Sequence, residues 1–231
     1  MAQLSEQEIV RRQNLQKIID LGINPYPPEL FPVNAYAADI KRDFKPEEGN
    51  FQDVVLAGRM MSNRIMGKAS FAEIQDTTGR IQVYINRDQI CPGEDKTLYD
   101  QVFKHLLDLG DFIGVKGYTF ITKTGETSIH ASELVLLSKS LKPLPVVKID
   151  ADGVAHDEFK DPEQRYRQRY VDLVVNPGIR KVFRDRTTMY NTMRSYLNQK
   201  GYLEVETPVL QPLYGGAAAR PFKTHHNTLD M

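Results

Sequence analysis

The sequence predicts an α+β protein: an opening helix, a five-stranded barrel, and the start of a second domain built from helices and a strand. Three observations predict it. Residues 5–21 place apolar side chains at helical spacing behind their own cap. Residues 53–138 switch to an alternation of period two, broken once by a helical stretch. After a proline-bearing linker, Asp161 and Pro162 restart a helical pattern.

Each element has a local reason. Ser5 and Glu8 have capping-box spacing, Leu15, Ile18 and Ile19 recur at helical intervals, and Gly22 is a natural stop. Arg11, Arg12 and Lys17 make this helix positive, which suits either a solvated face or a weak contact with nucleic acid. Four prolines in residues 22–32 exclude regular structure, so that stretch reads as an extended connector. DVVLAGRMM (53–61), SFAEIQD (70–76) and RIQVYINR (80–87) read as strands, the last two joined by the turn Asp76-Thr77-Thr78-Gly79. A helix at about 99–109 follows. FIGVKGYTFIT (112–122) and SIHASELVLLS (128–138) then form a hairpin around Lys123-Thr124-Gly125-Glu126. Three strands, a helix and two strands is the order of an OB-fold barrel.

The expected organisation is therefore a helix and connector over 1–50, the barrel over 51–140, a linker over 141–160, and part of a further domain over 161–231. In that last part, Asp161 caps a helix that begins at Pro162 and runs through 176. Pro177 opens another, with Val182, Met189, Met193 and Tyr196 on one stripe and Gly201 at its end. Residues 202–208 alternate as a strand, Leu203 and Val205 inward, which Pro208 terminates.

Bulk properties narrow the function. Lys+Arg equals Asp+Glu at 30 each, which argues against nucleic-acid binding driven by net charge and leaves only a local basic face. The single cysteine, Cys91, permits no disulfide within the chain and fits a reducing compartment. The first residues carry acids rather than a secretory apolar core, and no run approaches the ~20 apolar residues of a membrane span. The expectation is a soluble cytoplasmic protein.

Strand parity selects the candidate residues. In the second strand Ala72 and Ile74 point inward, so Phe71, Glu73 and Gln75 point outward. In the third, Ile81, Val83 and Ile85 point inward, leaving Gln82 and Tyr84 outside. An exposed Phe71 suits stacking on an unpaired base, worth ~1–3 kcal/mol; the alternatives are that it covers the barrel end or packs under the first helix. Gln82 offers both a donor and an acceptor to a base edge. Arg59 and Arg64 could meet phosphate or base.

Four runs carry a family resemblance. Residues 58–85, GRMMSNRIMGKASFAEIQDTTGRIQVYI, look like the OB domain of bacterial lysyl-tRNA synthetases. RYRQRYVDL (165–173) resembles the helix entering their catalytic domain, and KGYLEVETPVL (200–210) resembles motif 1 of class II synthetases. GGAAARPFKTHHNTLD (215–230) is similar to the segment that follows. The resemblance implies an antiparallel α+β class II catalytic domain, begun in this chain. It further implies that Phe71 stacks on an anticodon base and that Gln82 and Glu133 read the central uridine, with Arg64 beside them. Simple alternation puts Glu133 with Ile129, Ala131 and Val135 on the inner face, so an outward Glu133 requires a β-bulge. Tyr202, Val205 and Pro208 fall in the motif 1 homodimer interface, and the backbone at Gly216 approaches substrate lysine.

The implied partners are tRNA-Lys through its anticodon loop, lysine and ATP, with ATP and Mg2+ as cofactors of the complete enzyme. The motif 2 and motif 3 arginines and the magnesium-holding glutamates have no counterpart in these residues, and no Walker-type phosphate loop replaces them. No catalytic residue and no metal ligand is therefore assigned; His225 and His226 lack metal-site spacing. The chain is expected to be a portion that stops before motif 2 and is inactive by itself. Two other readings stand beside this one: a noncatalytic tRNA-binding or dimerising paralogue, and a piece of an aspartate– or asparagine–tRNA ligase.

Overall fold

The computed structural model describes residues 4–145, 148–149, 155–156, 159–210 and 222–230. They fall into two compact units that divide between Gln164 and Arg165.

In the first unit, α1 (Glu6–Asp20) starts where the sequence caps it. Ser5 Oγ accepts from the Glu8 N–H, and the Glu8 carboxylate accepts from the Ser5 N–H at 3.0 Å. The bond from that backbone N–H, then the one from the Ser5 hydroxyl, holds the Glu8 carboxyl below the ordinary range. Gly22, at φ 76°, supplies the left-handed residue after the helix. One cation on this helix departs from the sequence reading. Arg11 is only 7% exposed, and its guanidinium donates to the carbonyls of Leu109 at 2.9 Å, Lys142 at 3.2 Å and Ser140 at 3.3 Å. It clamps α1 to the barrel instead of facing water or RNA.

The proline-rich stretch is extended, as expected, and works as a strap. Phe31 packs so closely on Gly114 that a Cβ there would sit 2.6 Å from its ring. The Tyr26 hydroxyl donates to the Lys139 carbonyl, and the Lys139 N–H to the Pro25 carbonyl. Lys139 is buried, with its ammonium 2.9 Å from the equally buried Asp111. The strap leads into α2 (Ala37–Asp43), which the sequence reading missed.

The barrel comprises β1 (Val54–Met66), β2 (Ala69–Gln75), β3 (Arg80–Asn86), β4 (Phe112–Ile121) and β5 (Thr127–Ser138). A short α3 (Arg87–Ile90) and a π-helix (Leu98–Leu106) lie between β3 and β4. Spatial order is β1-β2-β3-β5-β4, and β1 also pairs with β4, so the barrel closes. Only the β3–β5 pairing is parallel. This is the OB-fold that the strand order predicts. Leu56, Met60, Ile74, Ile81, Val83 and Ile129 fill the interior, each aliphatic side chain contributing about 1.5–3 kcal/mol on burial. Parity holds for Ala72, Ile74, Ile81, Val83 and Ile85. It fails at Gln75, which is only 8% exposed although outward by alternation, because its amide oxygen accepts from Arg80 at 2.8 Å. Within the expected linker, Lys148–Ile149 pairs antiparallel with Ala155–His156.

The single helix expected from Pro162 to 176 is two, α4 (Pro162–Arg167) and α5 (Arg169–Val175), broken at Gln168. Asp161 caps the first, accepting from the Gln164 N–H at 2.8 Å. Asp172 explains the break: it is fully buried and accepts from Arg165 at 3.0 Å, from Asn176 at 2.7 Å and from Arg169. Pro177 opens α6 (Pro177–Gln199), every residue of which beyond its first turn is exposed, apolar stripe included. The strand expected over 202–208 is not formed: these residues carry no ladder pairing, and Leu203 is 87% exposed. A strand is stable only beside another, and no described residue pairs with this one. No helix among the described residues is long and apolar enough to cross a membrane.

Candidate nucleic-acid interface

Strand register builds the site. Arg64 on β1 is paired with Phe71 on β2, Phe71 with Tyr84 on β3, Tyr84 with His130 on β5, and His130 with Tyr118 on β4. One cross-strand row on the outer face therefore carries a cation and four rings. The Arg64 guanidinium lies 5.5 Å from the Phe71 ring centre. Phe71 and Tyr84 are 5.2 Å apart, Tyr84 and His130 4.9 Å, and His130 and Tyr118 5.0 Å with planes 6° from parallel. Phe71 is half-buried, and the ring beside it is that of Tyr84, outward on the next strand. His130, Tyr118 and Phe120 were missed in the sequence. Their signal was the same alternation that exposed Phe71, read on β4 and β5.

The adjacent row carries the polar groups. Glu73 is paired with Gln82, Gln82 with Ser128, and Ser128 with Phe120. The Ser128 hydroxyl lies 3.3 Å from the Gln82 amide oxygen and 3.3 Å from the Glu126 carbonyl, so the β4–β5 turn abuts Gln82. Glu126 is exposed there, its carboxylate 3.0 Å from Lys41 of α2. With Glu73, it puts an acidic side chain on Gln82's side of the aromatic row, and sequence reasoning passed over it as a turn residue.

Glu133 lies on the other side. The β4–β5 register shifts between Lys116 and Gly117, because Lys116 is paired with Glu133 but Gly117 with Ala131. Ser132 is the extra residue of a β-bulge. The bulge reverses parity: Leu134 and Leu136 are buried, Val135 leaves the inner face where alternation put it, and Glu133 is exposed with its carboxylate 2.7 Å from Lys116. Gly117 makes the bulge possible, since a Cβ there would fall 2.0 Å from the His130 carbonyl oxygen. Between the levels of Ser128 and Glu133, β5 advances on the order of 15 Å, which separates Glu133 from Gln82.

Arg59 is elsewhere on β1. It donates to the Gly110 carbonyl at 2.7 Å and lies 4.3 Å above the Phe112 ring, a structural use apart from the row. Burial lowers the His130 pKa below its ordinary value, favouring the neutral imidazole. The nearby ion pairs, Lys41–Glu126, Arg80–Glu73 and Lys116–Glu133, are all at the surface, where such pairs are worth ~0–1 kcal/mol and can exchange for phosphate at little cost.

In the second unit Tyr202, Val205 and Pro208 are all exposed. Gly216 lies outside the described residues. No group of three or more His, Cys, Asp or Glu side chains among the described residues could hold a metal ion.

Residues 54–137 match the family model for the OB-fold nucleic acid binding domain, and residues 161–231 that for class II tRNA synthetases (D, K and N). The chain is 59% identical over 230 residues to the lysine–tRNA ligase of Porphyromonas gingivalis (strain ATCC BAA-308 / W83), covering 99% of this chain and 40% of that protein. It is 58% identical over 231 residues to the lysine–tRNA ligase of Christiangramia forsetii, covering 100% and 40%. With that of Azobacteroides pseudotrichonymphae it shares 58% over 228 residues, covering 99% and 45%. Over its full length the chain is similar to these lysine–tRNA ligases, and its two parts match the OB-fold and class II tRNA synthetase models. It spans about two fifths of the length of these lysine–tRNA ligases. The aromatic row lies inside the OB-fold match and α4 to α6 inside the synthetase match.

Proposed function

We propose that the barrel is the anticodon reader of a lysine–tRNA ligase, which uses ATP and Mg2+ to charge tRNA-Lys with lysine in the cytoplasm. The observation that carries this reading is the cross-strand row Arg64–Phe71–Tyr84, with Gln82 one level away on the same outer face. Aromatic faces stack on unpaired bases and a flanking guanidinium attracts phosphate, which together describe a single-strand reader. Phe71 takes a base, Gln82 meets its polar edge, and Arg64 meets the strand beside it. Glu126 suits the carboxylate role beside Gln82 better than Glu133, which faces Lys116 beyond the row. The apolar stripe of α6, with Tyr202, Val205 and Pro208 following, is a homodimer surface in this reading: an amphipathic helix of 23 residues needs a partner for its apolar face.

The amino acid is tested by lysine-dependent exchange of pyrophosphate into ATP, using a polypeptide extended to full family length. Exchange stimulated by lysine supports the reading, whereas stimulation by aspartate or asparagine sinks it. The 231-residue chain alone is expected to show no exchange.

A further inference from the structure

We propose that the RNA surface continues past Phe71 to Tyr118, which stacks a second unpaired base of the same loop through the row Phe71–Tyr84–His130–Tyr118. This inference rests on the anticodon-reader reading and extends it to β4. Register is the first support: each of the four rings is the direct cross-strand partner of the next, so the surface bearing Phe71 runs unbroken across β2, β3, β5 and β4. Ring geometry is the second. Tyr118 and His130 are nearly parallel at 5.0 Å, while Phe120 is 5.7 Å from His130 and 6.5 Å from Tyr118. The inner rings hold one another, and Tyr118, at 39% exposed, closes the row with an open face.

His130 fits a stacking support better than a hydrogen-bonding group. Burial favours its neutral ring, which packs between Tyr84 and Tyr118. Span is the third support. Three inter-strand steps of ~4.8 Å put Tyr118 about 14 Å along the sheet from Phe71, against ~3.4 Å per stacked nucleotide. One base cannot cover both ends, so Tyr118 meets a nucleotide other than the one on Phe71. The β4 end of the row also has a cation, Lys116, two residues from Tyr118 and held by Glu133. Stacking is indifferent to base identity, so Tyr118 supplies affinity and leaves selectivity to the Gln82 side.

The test is a binding titration of the full 231-residue chain with fluorescently labelled anticodon stem-loops at one fixed salt concentration. Tyr118→Ala, Tyr118→Leu and Tyr118→Phe are compared with wild type and Phe71→Ala, with thermal melts to confirm folding. Tyr118→Ala and Tyr118→Leu are expected to weaken binding about 5- to 150-fold, by the same factor for a UUU and a GUC loop. Tyr118→Phe should bind as wild type does. If Tyr118→Leu binds like wild type while Phe71→Ala fails, the RNA stops short of β4: the inference is overturned and the reader stands. If wild type binds neither loop, the reader reading falls and this inference with it.

Discussion

Gly117→Ala is the sharpest perturbation of this barrel. The new Cβ would lie 2.0 Å from the His130 carbonyl oxygen and 3.1 Å from the Ala131 Cα, and both are backbone atoms that cannot rotate away. Relief requires β4 and β5 to separate locally, weakening the Gly117–Ala131 and Tyr118–His130 pairings. Overpacking costs ~1–3 kcal/mol and each weakened ladder bond up to about 1 kcal/mol. Slipping β5 by one residue offers no escape, because it would turn the Glu133 carboxylate into the core at a cost of several kcal/mol. We expect a destabilisation of about 3 kcal/mol, or roughly 6–12 °C in Tm for a unit of this size. The chain has no tryptophan, so far-UV circular dichroism is the appropriate readout. A Tm within about 1 °C of wild type would refute the claim that the bulge, and with it the outward Glu133 and the Tyr118 level of the row, depends on this glycine.

Other perturbations have defined outcomes. Arg11→Leu removes three charge-assisted bonds to backbone carbonyls and is expected to cost about 2–4 kcal/mol. It should also expose α1 to early proteolysis, and wild-type protection of α1 in the variant would contradict its clamping role. Asp172 has a pKa held low: desolvation opposes this, but the bonds from Asn176 and Arg165 outweigh it. Its stabilisation of the α5–α6 corner is therefore fully present above the ordinary carboxylate pKa and is lost as pH falls through the depressed value. Asp172→Asn should lower stability at neutral pH and flatten the acid limb of a denaturation profile; an unchanged acid limb would discount the contribution. Limited proteolysis should remove residues beyond 165 before it cuts the barrel, because α6 buries no side chain. Survival of that unit with a nicked barrel would show that it is stable by itself.

Much of the barrel is legible in the sequence because burial on one face imposes a strict period of two. Ala72, Ile74, Ile81, Val83 and Ile85 follow from alternation alone, and so do the outward Phe71 and Gln82. Parity fails where one residue breaks the count. The Ser132 bulge turns Glu133 and Val135, and its only sequence trace is Gly117 on a different strand. The second helix, α2, is hidden for a related reason. Its first N–H groups are capped from the distant turn, Ala37 by Asp76 at 2.7 Å and Ala38 by Thr78 at 3.0 Å, so no local cap announces it. Arg11 reads as a surface cation because the carbonyls that bury it come from residues 109, 140 and 142. The expected strand over 202–208 has the right alternation, but a strand is a property of a pair.

The claim that this barrel reads the anticodon loop is tested most directly by fluorescence anisotropy. The purified chain is titrated into labelled stem-loops carrying UUU or GUC at one salt concentration, with Phe71→Ala alongside. We expect tighter binding to UUU, and loss of that binding by about 5- to 150-fold when Phe71 is removed. Equal binding to the two loops, or binding unaffected by Phe71→Ala, would contradict the reading and leave the row of rings as surface packing.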